Sequence, residues 1–389
     1  MKHDEQVRLV RHLIHQLDTG TNLDAGVVLR NPASAYTCPE RAEQERELFF
    51  RNHPQMIGMS GDLPENGSFL TSEESGIKIL ATRDKTGKFR AFHNACRHRG
   101  VQVESEPRGK RNRFSCPFHA WTYSSEGKLV SIPKADHFGD IDKSCHGLLE
   151  LPAVEKHGVL LVHPDPAGEI DADRVLEGLG PDFDNWGFDQ YVNVGSDAYD
   201  MPLNWKLAID TFGETYHFSS LHRNTLFPMF HGNVQGFDHW ERNHRMILCV
   251  REIDEMRKRP ENEWNVREAG FPVYWMFPNV MFNVGRHSIT VVRVVPHPTE
   301  IGRSVSHIGY YFDPVELENP SAEHSPQEFF EAFASIIRDE DYAAASLSQK
   351  TAESGLQDWF LFGRNEPTLH HYHNTYRKVL GMPPLEEAP

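Results

Sequence analysis

In the first segment, MKHDEQVRLVRHLIHQLD, apolar Val10, Leu13, Ile14 and Leu17 recur at helical spacing among charged neighbours. That period predicts an amphipathic helix. A loop rich in Gly, Asn and Pro follows, and PERAEQERELFF then resumes the helical pattern. Residues 1–44 therefore read as a helical segment packing on a larger domain. From about residue 70 to 163 the period shortens: GIKILATR and KFRAFHN flank DKTG, FHAWTYSS and KLVSIP flank EG, and VEKHGVLLVHP closes the series. Alternating runs split by turn residues predict a small all-β domain, placed at 45–165. The Pro-, Gly- and acid-rich PDPAGEIDADR marks its end.

Residues 166–389 mix both periods. A helix is predicted near 203–222, then strands at PVYWMF, VMFNVG, HSITVVRVV and RSVSHIGYYF, which suggest an antiparallel sheet. PQEFFEAFASIIRDEDYAAASLSQKTAESG reads as one long helix, and the terminal stretch ending MPPLEEAP is expected to fray. The fold class is α+β in two domains.

Composition changes this picture little. The chain has 389 residues, 39% hydrophobic and 25% charged, as expected for a globular protein. Its 40 basic and 56 acidic residues give a net charge of −16, which disfavours nucleic acid and anionic membrane as partners. No apolar run approaches the ~20 residues of a membrane helix. The first segment lacks a signal-peptide core, and Asp4 and Glu5 argue against a transit peptide, so the cytoplasm is the expected location. Of five cysteines, Cys38, Cys145 and Cys249 read as ordinary thiols.

Candidate chemistry changes it more. Residues 210–222, DTFGETYHFSSLH, hold two acids and two histidines. On a helix, Asp210, Glu214 and His217 fall within roughly 60° of one another, whereas His222 is turned about 140° from His217. Bringing the two histidines together needs a π-turn or a helix end between them. In the β region, CRHRG at 96–100 and CPFHAW at 116–121 form Cys-x-His, seventeen residues, then Cys-x-x-His. Structural zinc modules usually pair Cys with Cys and His with His. Mixing one of each per loop suits a 2Fe–2S cluster with both thiolates on one iron and both imidazoles on the other. The segment resembles a Rieske domain, which assigns Cys96 and Cys116 to one iron and His98 and His119 to the other.

NWKLAIDTFGETYHFSSLH at 204–222 is likewise similar to the mononuclear iron motif of Rieske non-heme iron oxygenases, the family of aromatic-ring-hydroxylating and quaternary-ammonium oxygenase alpha subunits. The resemblance covers nearly the whole chain. It implies a catalytic domain of helices and antiparallel sheet, of the helix-grip type, with His217 and His222 as iron ligands. Two His and one carboxylate leave positions on Fe(II) open for oxygen. Asp339, Glu340 and Asp341 are the acids on offer, and periodicity centres Glu340 without choosing among them. The resemblance implies Asp341, because Gln349 follows it by eight residues as in the family. It also implies that Glu214 bridges histidines of two metal sites across a subunit boundary in a homotrimer. Its length, where Asp is commoner, resembles the quaternary-ammonium branch. Asp210 reads either as a group orienting an imidazole or as a structural hydrogen-bonding residue.

The chain shows no flavin or nicotinamide fingerprint; the lone GLG at 178–180 lacks the full glycine pattern. Electrons from NAD(P)H must then arrive through a separate reductase, with or without a ferredoxin, and a beta subunit stays open. A pure electron carrier would leave the 204–222 motif idle. HHYH at 370–373 points its adjacent histidines about 100° apart and has no spaced acid or Cys, so it is not expected to bind metal. Phe212, Met229, Phe230, Trp240, Trp275, Phe277 and Phe282 are pocket candidates, of which two or three are expected to touch substrate. The expected activity is hydroxylation of a small aromatic compound with O2, with N- or O-demethylation, for example of a quaternary ammonium compound, as the alternative.

Overall fold

The Val-, Ile- and Phe-rich runs beyond residue 270 form strands, as their alternation predicts. The computed structural model describes residues 1–318 and 326–389. Its contacts separate two units: Met1–Arg46, Leu176–Trp186 and Asn193–Pro389 in one, Glu47–Val175 and Gly187–Val192 in the other.

The larger unit is built on a seven-stranded sheet. Its order is Val192–Met201, Ser304–Phe312, Ser288–Pro296, Val280–Val284, Gly270–Met276, His244–Val250 and Phe230–His239. From Ser304–Phe312 onward, neighbours pair antiparallel. Three of these strands escaped the sequence reading: Val192–Met201, Phe230–His239 and His244–Val250. The first two carry glycines and half-exposed polar positions instead of a clean apolar alternation. The register of Phe230–His239 also shifts between Phe230 and Gln235, and Asn233 there has φ +62°. Such bulges re-aim nearby side chains.

Helix His3–Thr19 buries Leu9, Val10 and Leu13 against Ile247, Cys249 and Val266. Helix Pro367–Val379 packs Tyr372 edge-on against Trp275. The long helix is present but interrupted: α-helical over Pro326–Ile336, a π-turn over Ile337–Asp341, then α-helical over Tyr342–Ser354. The chain end departs from expectation. Glu386–Glu387 pairs with Leu29–Arg30, which in turn pairs with Phe362 and Leu361. Leu385 donates its amide to Asn374. Backbone pairing of this kind holds a tail that polarity alone marks as loose.

The smaller unit is all β around its core. A five-stranded sheet (Glu150–Leu151, Phe89–His93, Ile79–Arg83, Ser68–Ser72, Arg108–Lys110) accompanies two three-stranded sheets. One of these, Arg113–Ser115, Thr122–Ser124 and Leu129–Ser131, carries the second Cys–His loop between its first two strands. No helix among the described residues is long and apolar enough to cross a membrane.

Candidate metal centres and active site

The two cysteine–histidine loops of the smaller unit have the same backbone design. In the first, Cys96 N–H donates to the Val101 carbonyl and Gly100 N–H to the Cys96 carbonyl, each at 2.8 Å. In the second, Cys116 N–H donates to Trp121 and Ala120 N–H to Cys116, each at 2.9 Å. Each closes on a left-handed residue, Gly100 at φ +74° and Ala120 at φ +56°, which turns the chain back within five positions. Cys96 and Cys116 are buried and not disulfide-bonded, while His98 is half-buried and His119 exposed. The two imidazoles lie 4.6 Å apart, centroid to centroid, and His98 stacks on Trp121. Tyr123 hydroxyl lies 3.3 Å from Cys96 Sγ and accepts the Arg97 amide. Burial pushes the Cys116 thiol up; the amides of Phe118 and His119 oppose this by donating to its sulfur. Desolvation, with the nearby His98 and Arg99 charges, pushes His119 down. Buried thiols beside outward imidazoles form a donor set that fits the two irons of a Rieske cluster.

In the larger unit the 204–222 motif is not one helix. Asn204 caps helix Trp205–Asp210 by accepting the Lys206 amide, and the helix stops after six residues. Gly213 passes so close to helix Pro367–Val379 that a Cβ would lie 2.4 Å from Leu369 and 2.9 Å from Tyr372. Thr215 hydroxyl then accepts the Asn233 amide at the bulge. His217 sits on the 3₁₀ turn Tyr216–Ser219, and His222 on the turns that follow. A helix end thus resolves the five-residue spacing.

His217, His222 and Asp341 offer ligand atoms all within 4.8 Å of one another. Nε2 of His217 lies 3.4 Å and Nε2 of His222 3.1 Å from Asp341 Oδ1. The other ring nitrogens are held from behind. His217 Nδ1 bonds to Glu214, whose second oxygen accepts the His217 amide at 3.1 Å. His222 Nδ1 donates to Glu340 at 2.7 Å, and Thr225 hydroxyl donates to the same oxygen at 2.9 Å. Of the acidic trio, Asp339 pairs with Arg338 in solvent, Glu340 reaches the back of His222, and buried Asp341 faces both imidazoles. The wide π-turn rotates Asp341 inward, which α-periodicity could not foresee.

Burial works against a protonated His217, but the carboxylates of Asp341 and Glu214 beside its two ring nitrogens outweigh it and raise the pKa to about 9. His222 is raised against burial by Asp341, and Asp341 is lowered against burial by both imidazoles. Buried His217 Nε2 nevertheless has no hydrogen-bond partner among the described residues. Two imidazoles and a carboxylate converging with an orphaned nitrogen fit a divalent iron with open positions.

Other residues fall elsewhere. Asp210 holds an imidazole, but that of His373, at 2.9 Å, and it also accepts the Tyr36 hydroxyl. Of the remaining HHYH residues, His370 lies 3.3 Å from the Phe362 carbonyl and His371 pairs with His244. Gln349 accepts the Asn204 amide, tying the helix after Asp341 to the start of the His motif. A cavity of about 260 Å³ opens beside the triad. Phe212, Met229 and Phe230 line it; Trp240, Trp275, Phe277 and Phe282 do not. Phe218, Phe271 and Phe333 were missed as wall residues. Thr225 and the orienting role of Glu340 were missed too, since no local spacing links them to His222.

The fold and the two centres define an oxygenase alpha subunit. Residues 53–152 match the Rieske [2Fe-2S] domain, and residues 188–382 match the ring-hydroxylating alpha subunit (catalytic domain). The chain belongs to the ring-hydroxylating alpha subunit family; it is an oxidoreductase whose cofactors are a Rieske 2Fe–2S cluster and a mononuclear iron. It is 26% identical over 335 residues to the carnitine monooxygenase oxygenase subunit of Acinetobacter baumannii, covering 83% of this chain and 85% of that one. With the anthranilate 1,2-dioxygenase large subunit of Acinetobacter baylyi it shares 31% identity over 211 residues, 52% of this chain and 45% of that one. In fold it is similar to the quaternary ammonium Rieske monooxygenase CntA in complex with L-carnitine, with a TM-score of 0.75 and 21% identity over 92% of this chain and 96% of that one. Naphthalene 1,2-dioxygenase with indole bound gives 0.70 and 19%, over 92% and 93%.

Proposed function

We propose that this oxygenase hydroxylates a small, uncharged aromatic compound. The observation that carries the reading is the wall of the cavity beside the triad: five phenylalanines and no Lys, Arg, Trp or Tyr among its described lining residues. A zwitterion's carboxylate would have no cation to meet there. A quaternary ammonium would find only phenylalanine, the residue after Trp and Tyr in cation–π attraction. An arene gains from burial alone. The second reading, N-demethylation of a quaternary ammonium compound, is favoured by Glu252 in the cavity wall, by the length of Glu214 and by relatives named for carnitine.

Cys96, Cys116, His98 and His119 would hold the cluster, and His217, His222 and Asp341 the mononuclear iron. Together the two groups supply electron transfer and dioxygen reduction. Around them the chain's residues bind and orient. Glu214 and Glu340 hold the Nδ1 protons of His217 and His222, so that Nε2 of each would be the atom left to bind iron beside Asp341. The Phe212, Phe230 and Phe271 side chains shield the reacting face from water. Glu214 further serves as the bridge toward a cluster histidine of a neighbouring subunit in a homotrimer, and a separate cytoplasmic reductase delivers electrons from NAD(P)H.

The test supplies purified enzyme with a surrogate reductase, NADH and labelled O2, and offers arenes, methoxyarenes and N-methylated ammonium compounds. Labelled hydroxylated arene supports the reading. Formaldehyde from an ammonium substrate alone would replace it with the second.

A further inference from the structure

Arg377 is a buried arginine with no carboxylate partner among the described residues. It lies in helix Pro367–Val379, is 7% exposed, and donates one hydrogen bond, Nε to the Pro383 carbonyl at 2.5 Å. Arg41, equally buried, bonds Glu45 through Nε at 2.9 Å and leaves Nη2 without a partner. Glu45 also pairs with buried Lys206, so one carboxylate serves two cations and Arg377 is left out. Burial and the Arg41 charge push the Arg377 pKa down, and Glu386 offsets them only in part. An unpaired buried charge is costly unless something compensates it.

Arg377 borders a cavity of about 210 Å³ whose other walls are Arg30, Pro32, Asp358, Trp359, Leu385 and Glu386. Arg30 lies over the Trp359 ring at 5.1 Å and donates to the Glu387 carbonyl at 3.0 Å. The cavity shares no lining residue with the one at the metal triad.

From this we infer that the cavity is a second ligand site, for a small organic monocarboxylate. Its carboxylate is taken by Arg377, and its apolar body lies against Trp359, Pro32 and Leu385. A guanidinium presents a planar fork matched to a carboxylate. Asp358 and Glu386 also line the cavity and disfavour a dianion such as phosphate, because its second charge adds repulsion from two acids. The strands that bound the site join Leu29–Pro32 to Glu386–Glu387, so an occupant touches residues from both ends of the chain.

The test titrates benzoate into the holoenzyme and follows Trp359 emission, taken as the difference between wild type and Trp359→Phe. That difference separates this site from benzoate entering the catalytic cavity. The expected result is a saturable change in wild type and an affinity at least tenfold weaker in Arg377→Gln. Benzamide, neutral and of the same shape, and inorganic phosphate give no saturation over the same range. Arg377→Lys keeps the charge without the fork and provides the reading if Arg377→Gln does not fold; it binds benzoate several-fold more weakly. Unchanged benzoate affinity in Arg377→Gln or Arg377→Lys overturns the inference. So does benzamide matching benzoate, or an unresponsive Trp359.

Discussion

The two candidate metal centres solve one problem in opposite ways. The cluster loops compress four donors into residues 96–119, each pair fixed by a five-residue turn with its own backbone hydrogen bonds. The candidate iron triad instead draws on positions 217, 222 and 341, carried by a 3₁₀ turn, a loop and a π-turn. Local turns make the first donor set nearly independent of distant packing. The second is held by long-range ties, with helix Tyr342–Ser354 bonded to Asn204 through Gln349 and Glu340 reaching His222. The difference teaches that the cluster loops withstand changes elsewhere in the chain, whereas the triad depends on its supports.

Exchanging the damage between the centres gives the largest expected effects. His217→Ala reduces product formation to background while the visible spectrum of the cluster stays as in wild type. Cys116→Ser does the reverse, bleaching the spectrum while mononuclear iron is retained. Both are read by absorbance and by metal analysis.

Removing a support of the triad comes next. Glu340→Ala frees His222 Nδ1 and lowers iron affinity by about 10–100-fold, as expected for a residue behind a ligand; chelator competition measures it. No such single support is expected behind His98, which stacks on Trp121.

Acidity sharpens the same contrast. Without metal, the raised His217 pKa contributes stability that is fully present below about 6.5 and is lost as pH rises through about 9. Iron must displace that proton, so apparent Fe(II) affinity climbs roughly tenfold per pH unit across this window. Fe(II) titrations at stepped pH check the slope, and metal-free melting curves check that stability falls over the same range.

The smallest effect is structural. Asp210→Asn weakens the bond to His373, at a cost of about 1–3 kcal/mol in unfolding free energy, with iron content unchanged. Glu214→Gln, by contrast, keeps an oxygen facing His217 Nδ1 and slows coupled turnover.

The cluster loops were legible because Cys and His spacing is a local property and the turn closes within it. His217 and His222 were legible as a motif, though the helix assigned to them was not: the close pass of Gly213 over Leu369 ends it early. Asp341 could not be separated from Glu340 by period, since a π-turn changes the angle per residue at that very place. The pinned tail was hidden for a related reason, since it owes its pairing to Leu29–Arg30 at the far end of the chain. The strand Phe230–His239 pairs with its immediate neighbour His244–Val250 and was hidden instead by its glycines, polar positions and register shift. Asp210 shared a helical stripe with Glu214 on paper, but the helix ends at it, and its carboxylate turns to His373.

The central claim is that His217, His222 and Asp341 together hold the mononuclear iron. Iron per chain, measured in wild type and in Asp341→Ala alongside the cluster absorbance, tests it most directly. The predicted result is the loss of about one iron of three, with the two cluster irons and their spectrum unchanged. An Asp341→Ala protein that keeps the third iron would place the carboxylate ligand elsewhere and contradict the account.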